Sequence, residues 1–460
     1  MTSFFANFLF YVSLFYIAYL VVFSTFSFFA VLVGAHKLNK NARMKKYNKL
    51  AIQNNEPISI LIPAYNEAVT IVKSVKSLLA LDYAKYEIIV IDDGSKDETA
   101  QTLIDEFGLF PVSRPINNEL FCKSAKAVYE IVISGTMLTL ISKENGGKGD
   151  ALNMGINAAR HDYFICMDAD SMLERDALQE IAEPLYEDNR IVAVGGMILL
   201  SQCVRVEGGK AVSYKLPANL LVCMQAVEYN RSFLASRIFM DAFNGNLIIS
   251  GAFGLFKKSM IIAAGGYSTN NLGEDMELCM KLHGYCRNNN IDYRIAYQPS
   301  AVCLTQAPSR LRDLVGQRRR WHIGLLQSLL AHRRVMFNLK FGWVSFFSYL
   351  YYLLYELLSP IIEVFGLITI GLALYFDVLN ITYMLVFLGV YAIYGTITSL
   401  CAFSQYAQRF RIRLWDMVKA LILCVIEFGF FRNLLVVVRM LAFVRYGRNK
   451  KAWGEIRREQ

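Results

Sequence analysis

Residues 57–308 predict an α/β domain on a mostly parallel sheet, inserted on the cytosolic side between N-terminal and C-terminal transmembrane helices. Three observations carry that expectation. Short apolar runs alternate with helical patterns through the middle of the chain, residues 4–33 contain no charged side chain, and two more long apolar stretches follow at 343–376 and 383–403. Strands alternating with helices give parallel neighbours joined by crossovers, with helices covering both faces of the sheet.

Composition agrees with a membrane-bound enzyme-sized chain. Of 460 residues, 55% are hydrophobic and only 19% charged, too apolar for an ordinary soluble enzyme. The net charge of +10 could suggest a nucleic-acid partner. Its Lys and Arg residues, however, gather beside the apolar stretches, at 37–49, 318–334 and 445–458, as the positive-inside rule requires, so no nucleic-acid partner is expected. Nine cysteines include no C-x-x-C pair and no zinc-like spacing to a histidine, which fits small buried thiols in a reducing cytoplasm.

In chain order, residues 1–35 read as a first transmembrane helix, since a span needs roughly twenty apolar residues. A signal peptide would want a basic start, and residues 1–6 have none. The basic linker 36–56 then places the following domain in the cytoplasm and the N-terminus outside. Strands are expected at 58–62, 86–91, 137–141, 163–167, 191–194 and 247–253, with helices at 67–79, 98–107, 149–159 and 176–185 and one containing 276–282. Residues 110–135 and 201–217 fit no regular pattern and read as loops. Residues 311–335, within a segment 309–340, have apolar side chains at helical spacing with arginines between, the pattern of an amphipathic helix on the bilayer surface. Two transmembrane helices are expected in 341–404. Glu356, Pro360 and Glu363 interrupt the first; acids at that depth either line a polar path or pair with Arg432 or Arg439. For 405–445 an interfacial helix, a re-entrant hairpin and short crossings all remain open, and 446–460 is a basic cytoplasmic tail.

The chemistry concentrates at the carboxyl ends of the predicted strands, where ligands of such sheets bind. Asp168 and Asp170 end the strand at 163–167, and two residues apart they would share a face. Paired hard oxygens suit Mg2+ or Mn2+ shared with a substrate diphosphate. Gly146-Gly147-Lys148-Gly149, just before a helix, offers a backbone turn and an ammonium for phosphate, although it lacks the P-loop pattern. Tyr65 and Glu67 follow the first strand and Asp92-Asp93-Gly94 the second: a ring and carboxylates are what a nucleoside needs. Asp275, in Gly273-Glu274-Asp275 before a helix, is a candidate general base.

Taken together, IPAYNE (62–67), VIDDGS (90–95), GGKGDALN (146–153), MDADS (167–171), GED (273–275) and QRRRW (317–321) occur in one order between apolar flanks. This set resembles the membrane-embedded processive family 2 glycosyltransferases, which include cellulose, hyaluronan, chitin and poly-N-acetylglucosamine synthases. The resemblance implies a Rossmann-like GT-A form of the α/β domain and inverting transfer from a UDP-sugar donor to a growing polysaccharide acceptor, an α-linked donor giving a β-linked product. It places Tyr65 and Glu67 near the uracil, Asp92 and Asp93 on the nucleoside, and Lys148 near the diphosphate. Asp168 and Asp170 match the family's DxD on nucleotide and metal. Asp275 matches the base, Gln317 and Arg320 the diphosphate-steadying part of QxxRW, and Trp321 the residue that stacks on the acceptor sugar, while Ser250, Gly251 and Glu274 fall at the acceptor end. Gly273 replaces the usual Thr of the third motif, a change expected to matter little. A plasma-membrane, multi-pass location, contact with the lipid bilayer, and accessory export or modification proteins are implied as well.

Overall fold

The computed structural model describes residues 2–48, 56–377, 380–410, 414–426 and 431–444. The tail 446–460 and most of the linker's end therefore lie outside the described residues. The globular part is organised by strands β1 (Ile58–Ala64), β2 (Tyr86–Asp92), β3 (Phe110–Pro111), β4 (Ala125–Ile133), β5 (Thr136–Lys143), β6 (Tyr163–Cys166), β7 (Met172–Leu173), β8 (Ile191–Leu200), β9 (Val204–Glu207), β10 (Lys210–Tyr214), β11 (Gly254–Lys257) and β12 (Arg294–Thr305). Ten of them form one sheet in the order β3-β4-β5-β2-β1-β6-β11-β8-β12-β7, and β9 pairs with β10. β1, ISILIPA, is buried except at Pro63, and β8 is buried throughout. Such runs, apolar on both faces, belong in the middle of a sheet covered on both sides.

The helices supply those covers. The N-terminal helix is α1 (Thr2–Asn48); α2 (Ile71–Leu79), α3 (Thr99–Phe107) and α5 (Ala177–Glu187) pack on one face, while α4 (Lys148–Ala158), α8 (Lys258–Ala263) and α9 (Glu274–Asn288) pack on the other. Helix α2 shows the local logic: Ile71, Ser74, Val75 and Leu78 recur at helical spacing and are the residues it buries. Helix α6 (Leu220–Arg231) packs against β8 and β12, and a wide turn at Ser232–Ser236 joins it to α7 (Arg237–Asp241), which meets α1 and β12.

Several expectations are corrected. The sheet is mixed, with β5-β2-β1-β6 and β8-β12 parallel but β11 inserted antiparallel between β6 and β8. Residues 110–135 are not a loop: β4 returns antiparallel to β5 through Ser134-Gly135, both at positive φ, as a tight hairpin turn requires. Residues 201–217 hold the β9-β10 hairpin, turned at Gly208-Gly209. Residues 247–253 form no strand, because their backbone is spent on side chains instead: the Ile248 carbonyl accepts from Arg237 and the Gly251 N–H donates to Asp275. The helix expected from 67 begins only at Ile71, and α1 continues past residue 35 to Asn48.

Beyond the sheet, α10 (Leu311–Ala331) leads into α11 (Val344–Leu357), α12 (Ser359–Tyr375), α13 (Ile381–Arg409), α14 (Leu414–Ile426) and α15 (Arg432–Val444). Among the described residues α1 is long and apolar enough to cross a membrane, through Asn7–His36, and α11 with α12 passes the same test as a pair bent by 51°. Within 341–404 this bent pair is followed by the start of α13. These elements bind one another: Tyr16 donates to the Ile362 carbonyl at 2.5 Å, Tyr355 to the Tyr19 carbonyl at 3.2 Å, and Tyr394 to that of Ser24.

One contact fixes α10 against the sheet domain. A side chain at Gly324 would begin 2.5 Å from the Gly273 nitrogen, and one at Gly273 would begin 2.9 Å from the Gly324 carbonyl carbon. Backbone therefore meets backbone, and the glycine in place of Thr at 273 is required, contrary to the expectation that it matters little. Helix α10 provides its own control, because Gly316 faces open space. Gly324→Ala should destabilise the chain by about 1–3 kcal/mol, as overpacking does. Gly316→Ala should instead stabilise it by up to about 1 kcal/mol, the usual helical gain. Thermal unfolding of both variants in detergent checks the contrast.

Candidate active site

A cavity of about 1000 Å³ opens between the carboxyl ends of the central strands and α10 and continues toward α1, α11 and α15. All the site residues expected from the sequence line it except Asp92 and Asp93.

The acid pair sits at the cavity's edge. Strand β6 ends at Cys166, so Asp168 and Asp170 project from the turn that follows rather than from the strand itself. Ser74 pins that turn, its hydroxyl donating to the Ala169 carbonyl at 2.6 Å, while the Ser171 N–H donates to the Asp168 carbonyl at 3.0 Å. Asp168 accepts from the Lys148 ammonium at 2.6 Å.

Lys148 opens α4, and the turn that presents it is built from below. The Asp93 carboxylate accepts from the N–H groups of Gly146 at 2.9 Å and Gly147 at 2.7 Å. It also meets the fully buried ammonium of Lys143 at 2.7 Å, which is held further by Asp150 at 2.6 Å and by the Glu144 carbonyl at 2.5 Å. Burial alone would depress the Lys143 pKa, but the hydrogen bonds to Asp150 and Asp93 hold it above the ordinary lysine value. Asp92 is likewise engaged, accepting from the Ser95 N–H and the Ser142 hydroxyl. Asp93 thus shapes the glycine turn from beneath the cavity.

Tyr65 reaches the cavity because Asn66 takes a positive φ of 56°, a conformation that Asn tolerates when its side chain bonds locally; Asn66 Oδ1 accepts from the Lys96 N–H at 2.8 Å. Glu67 accepts from the Thr70 hydroxyl at 2.7 Å. On the far side, Asp275 near the start of α9 accepts from the Met276 N–H at 2.8 Å and the Gly251 N–H at 3.3 Å. Its neighbour Glu274 lies 3.5 Å from Lys148. Burial raises the Glu274 pKa, with Lys148 pulling the other way. Lys148 is buried too, yet Asp168, Glu274 and Asp275 keep its pKa above the usual lysine range. Gly251 leaves room for that ammonium, which lies 3.0 Å from where a Cβ would stand.

Helix α10 closes the remaining side with Gln317, Arg320 and Trp321, the last of which is 41% exposed. Deeper in, Glu356 and Glu363 line the same cavity, and Glu356 also lies 3.9 Å from Arg439, one of the two arginines weighed as a partner. Sequence reading missed Lys143 and Glu228. Only Lys143 left a trace, as the one charge in the strand Thr136–Lys143.

Two family models match the chain: "Glycosyl transferase family 2" over residues 59–120 and "Glycosyl transferase family group 2" over residues 163–398, more than half of its length. The chain belongs to glycosyl transferase family group 2. Relatives within reach of this family include poly-beta-1,6-N-acetyl-D-glucosamine synthases. That of Staphylococcus aureus (strain COL) is 31% identical over 327 residues, covering 71% of this chain and 66% of the relative. That of Staphylococcus epidermidis is 29% identical over 330 residues, covering 70% and 66%. The chain thus aligns with just under two thirds of these relatives' own length. Among solved structures, a mannosyltransferase from Pyrobaculum calidifontis, in complex with GDP-Man and Mn2+, superposes with a TM-score of 0.53 at 19% identity, over 85% of this chain and 97% of that one. That likeness shows the shared GT-A fold.

For a family 2 glycosyltransferase the metal question turns on the donor set. Asp168 and Asp170 offer hard carboxylate oxygens at the cavity, which fit Mg2+ or Mn2+; among the described residues no third His, Cys, Asp or Glu completes a cluster. Further ligands would come from a diphosphate and water.

Lys143→Met should cost about 3–5 kcal/mol, because it strands Asp93 and Asp150 as uncompensated buried charges. The check is the thermal midpoint in detergent, with loss of nucleotide binding as the glycine turn loosens.

Proposed function

We propose that this protein is a membrane-bound, processive polysaccharide synthase. It moves N-acetylglucosamine from UDP-N-acetylglucosamine to the end of a growing β-linked polymer on the cytoplasmic side, with export through its own multi-pass membrane part. The observation that carries the reading is the meeting of Asp275, Lys148 and Trp321 around one cavity that continues between the apolar helices. The family and the names of the relatives support the sugar.

In this reading Tyr65 and Glu67 receive the nucleoside, and Lys148, Gln317 and Arg320 hold the diphosphate. Asp275 takes the proton from the acceptor hydroxyl as that oxygen attacks the anomeric carbon opposite the leaving group, giving inversion. Lys148 and Arg320 place positive charge where negative charge develops. Mg2+ or Mn2+ at Asp168 and Asp170 would supply Lewis-acid stabilisation of the departing diphosphate. Trp321 gives the apolar face of the terminal sugar a ring to stack on, with Ser250, Gly251 and Glu274 beside it. The tyrosines and acids of α11 and α12 continue the wall beyond it, which favours a polymer over a single-sugar transfer to a polyprenyl phosphate.

Purified chain given each UDP-sugar singly with Mg2+ or Mn2+ should make a high-molecular-weight product from UDP-N-acetylglucosamine alone, digestible by a β-linkage-specific glycanase. A lipid-linked single sugar as the only product would refute the processive reading. Asp275→Asn should lower synthesis by about 100-fold or more, in line with loss of a general base, while UDP binding stays near wild type. Near-normal polymer from that variant would remove Asp275 as the base.

A further inference from the structure

Arg318 stands inside the QRRRW run but has no part in the reaction described above. Its guanidinium donates to both carboxylate oxygens of Glu228 on α6, at 2.9 and 2.6 Å, and the side chain is only 5% exposed. The same guanidinium lies over the Trp321 indole, 4.5 Å from the ring centroid. Tyr229, next to Glu228, approaches the indole directly, with centroids 6.4 Å apart. Consecutive residues of α6 therefore reach Trp321 by two routes, one of them through Arg318.

We propose that Arg318, clamped by Glu228, is a positioning residue that fixes the Trp321 indole in the cavity and so sets how firmly the acceptor's chain end is retained between sugar additions. A half-exposed indole turns about two side-chain torsions unless something holds it. The guanidinium fork is planar and is locked by two parallel hydrogen bonds to one carboxylate, so its face offers the ring a fixed platform. A lysine would keep the charge and lose both the fork and the stack. The clamp is braced in turn: Glu228 lies 4.0 Å from Arg439, and Arg439 lies 3.9 Å from Glu356, so the chain of charges runs from α6 through α15 to α11.

The inference rests on the reading that Trp321 receives the acceptor sugar, and the test separates the two. The full chain in detergent is assayed with saturating UDP-N-acetylglucosamine and a titrated short β-1,6-linked N-acetylglucosamine oligomer, measuring KM for the oligomer, kcat and product length. Arg318→Lys should raise that KM about three- to tenfold, the weight of a desolvated cation–π contact. It should also shorten the product and leave kcat within about twofold. Glu228→Gln should act alike and keeps the test open if the first variant does not fold. The double variant should be no worse than the worse single one, because both disable one device. Unchanged KM and product length in Arg318→Lys, or a lower kcat at constant KM, would overturn the positioning role. Trp321→Ala run alongside tells the failures apart. A raised KM there with Arg318→Lys unaffected rejects the clamp alone, whereas an unchanged KM rejects the acceptor reading beneath it.

Discussion

Two glycines that touch decide where the rest of the site can stand. At Gly273 and Gly324 the loop before α9 and the middle of α10 approach until no side chain fits between them. Asp275 lies two residues after one glycine and Trp321 three residues before the other. A backbone-to-backbone contact has no rotamers to relax, so it sets the separation of these groups more tightly than side-chain packing would. The Asn271 side chain adds to it, donating to the Ser328 hydroxyl at 3.1 Å, and the Leu272 N–H donates to Gln327 at 2.9 Å.

The opposite wall is fixed by charge rather than by close approach. Lys143 is wholly buried between Asp93 and Asp150, an arrangement stable only while all members are present and bonded. Asp93 holds the glycine turn with its remaining capacity, and the turn aims Lys148 at Asp168, Glu274 and Asp275. A buried lysine thus holds in place the one that faces the cavity. Loose glycines at 146 and 147 acquire one conformation because a carboxylate beneath them accepts both N–H groups.

Much of this was legible in the sequence, and the failures have physical reasons. The parallel core β5-β2-β1-β6 announced itself because strands buried on both faces are nearly continuous apolar runs, as in residues 58–62 and 86–91. Strand β4, by contrast, mixes Lys126, Tyr129 and Glu130 along an edge-side surface, and its one sharp signal was the Ser134-Gly135 turn. Residues 247–253 look like a strand because Leu247 and Ile249 are buried, but burial does not imply a ladder, and their backbone bonds went elsewhere. The site residues were read as ligands for nucleotide, metal and sugar. Periodicity could not say that Asp93 faces down into the fold while Asp168 faces the cavity, since both follow apolar runs as paired acids. Arg318 was hidden by its neighbours, because its partner Glu228 lies 90 residues away.

Helix α1 runs unbroken for 47 residues. At about 1.5 Å per residue that is a rod of roughly 70 Å. Its apolar portion, Asn7–His36, is 30 residues long, hence about 45 Å by the same rise, against a hydrocarbon layer of about 30 Å. Set in a bilayer, such a rod relieves its surplus by leaning. Phe23, Ser27 and Ala30 of this same rod form part of the cavity wall. If α1 spans a bilayer, its lean is also a displacement of that wall, so the thickness of the surrounding lipid would bear on the shape of the chamber.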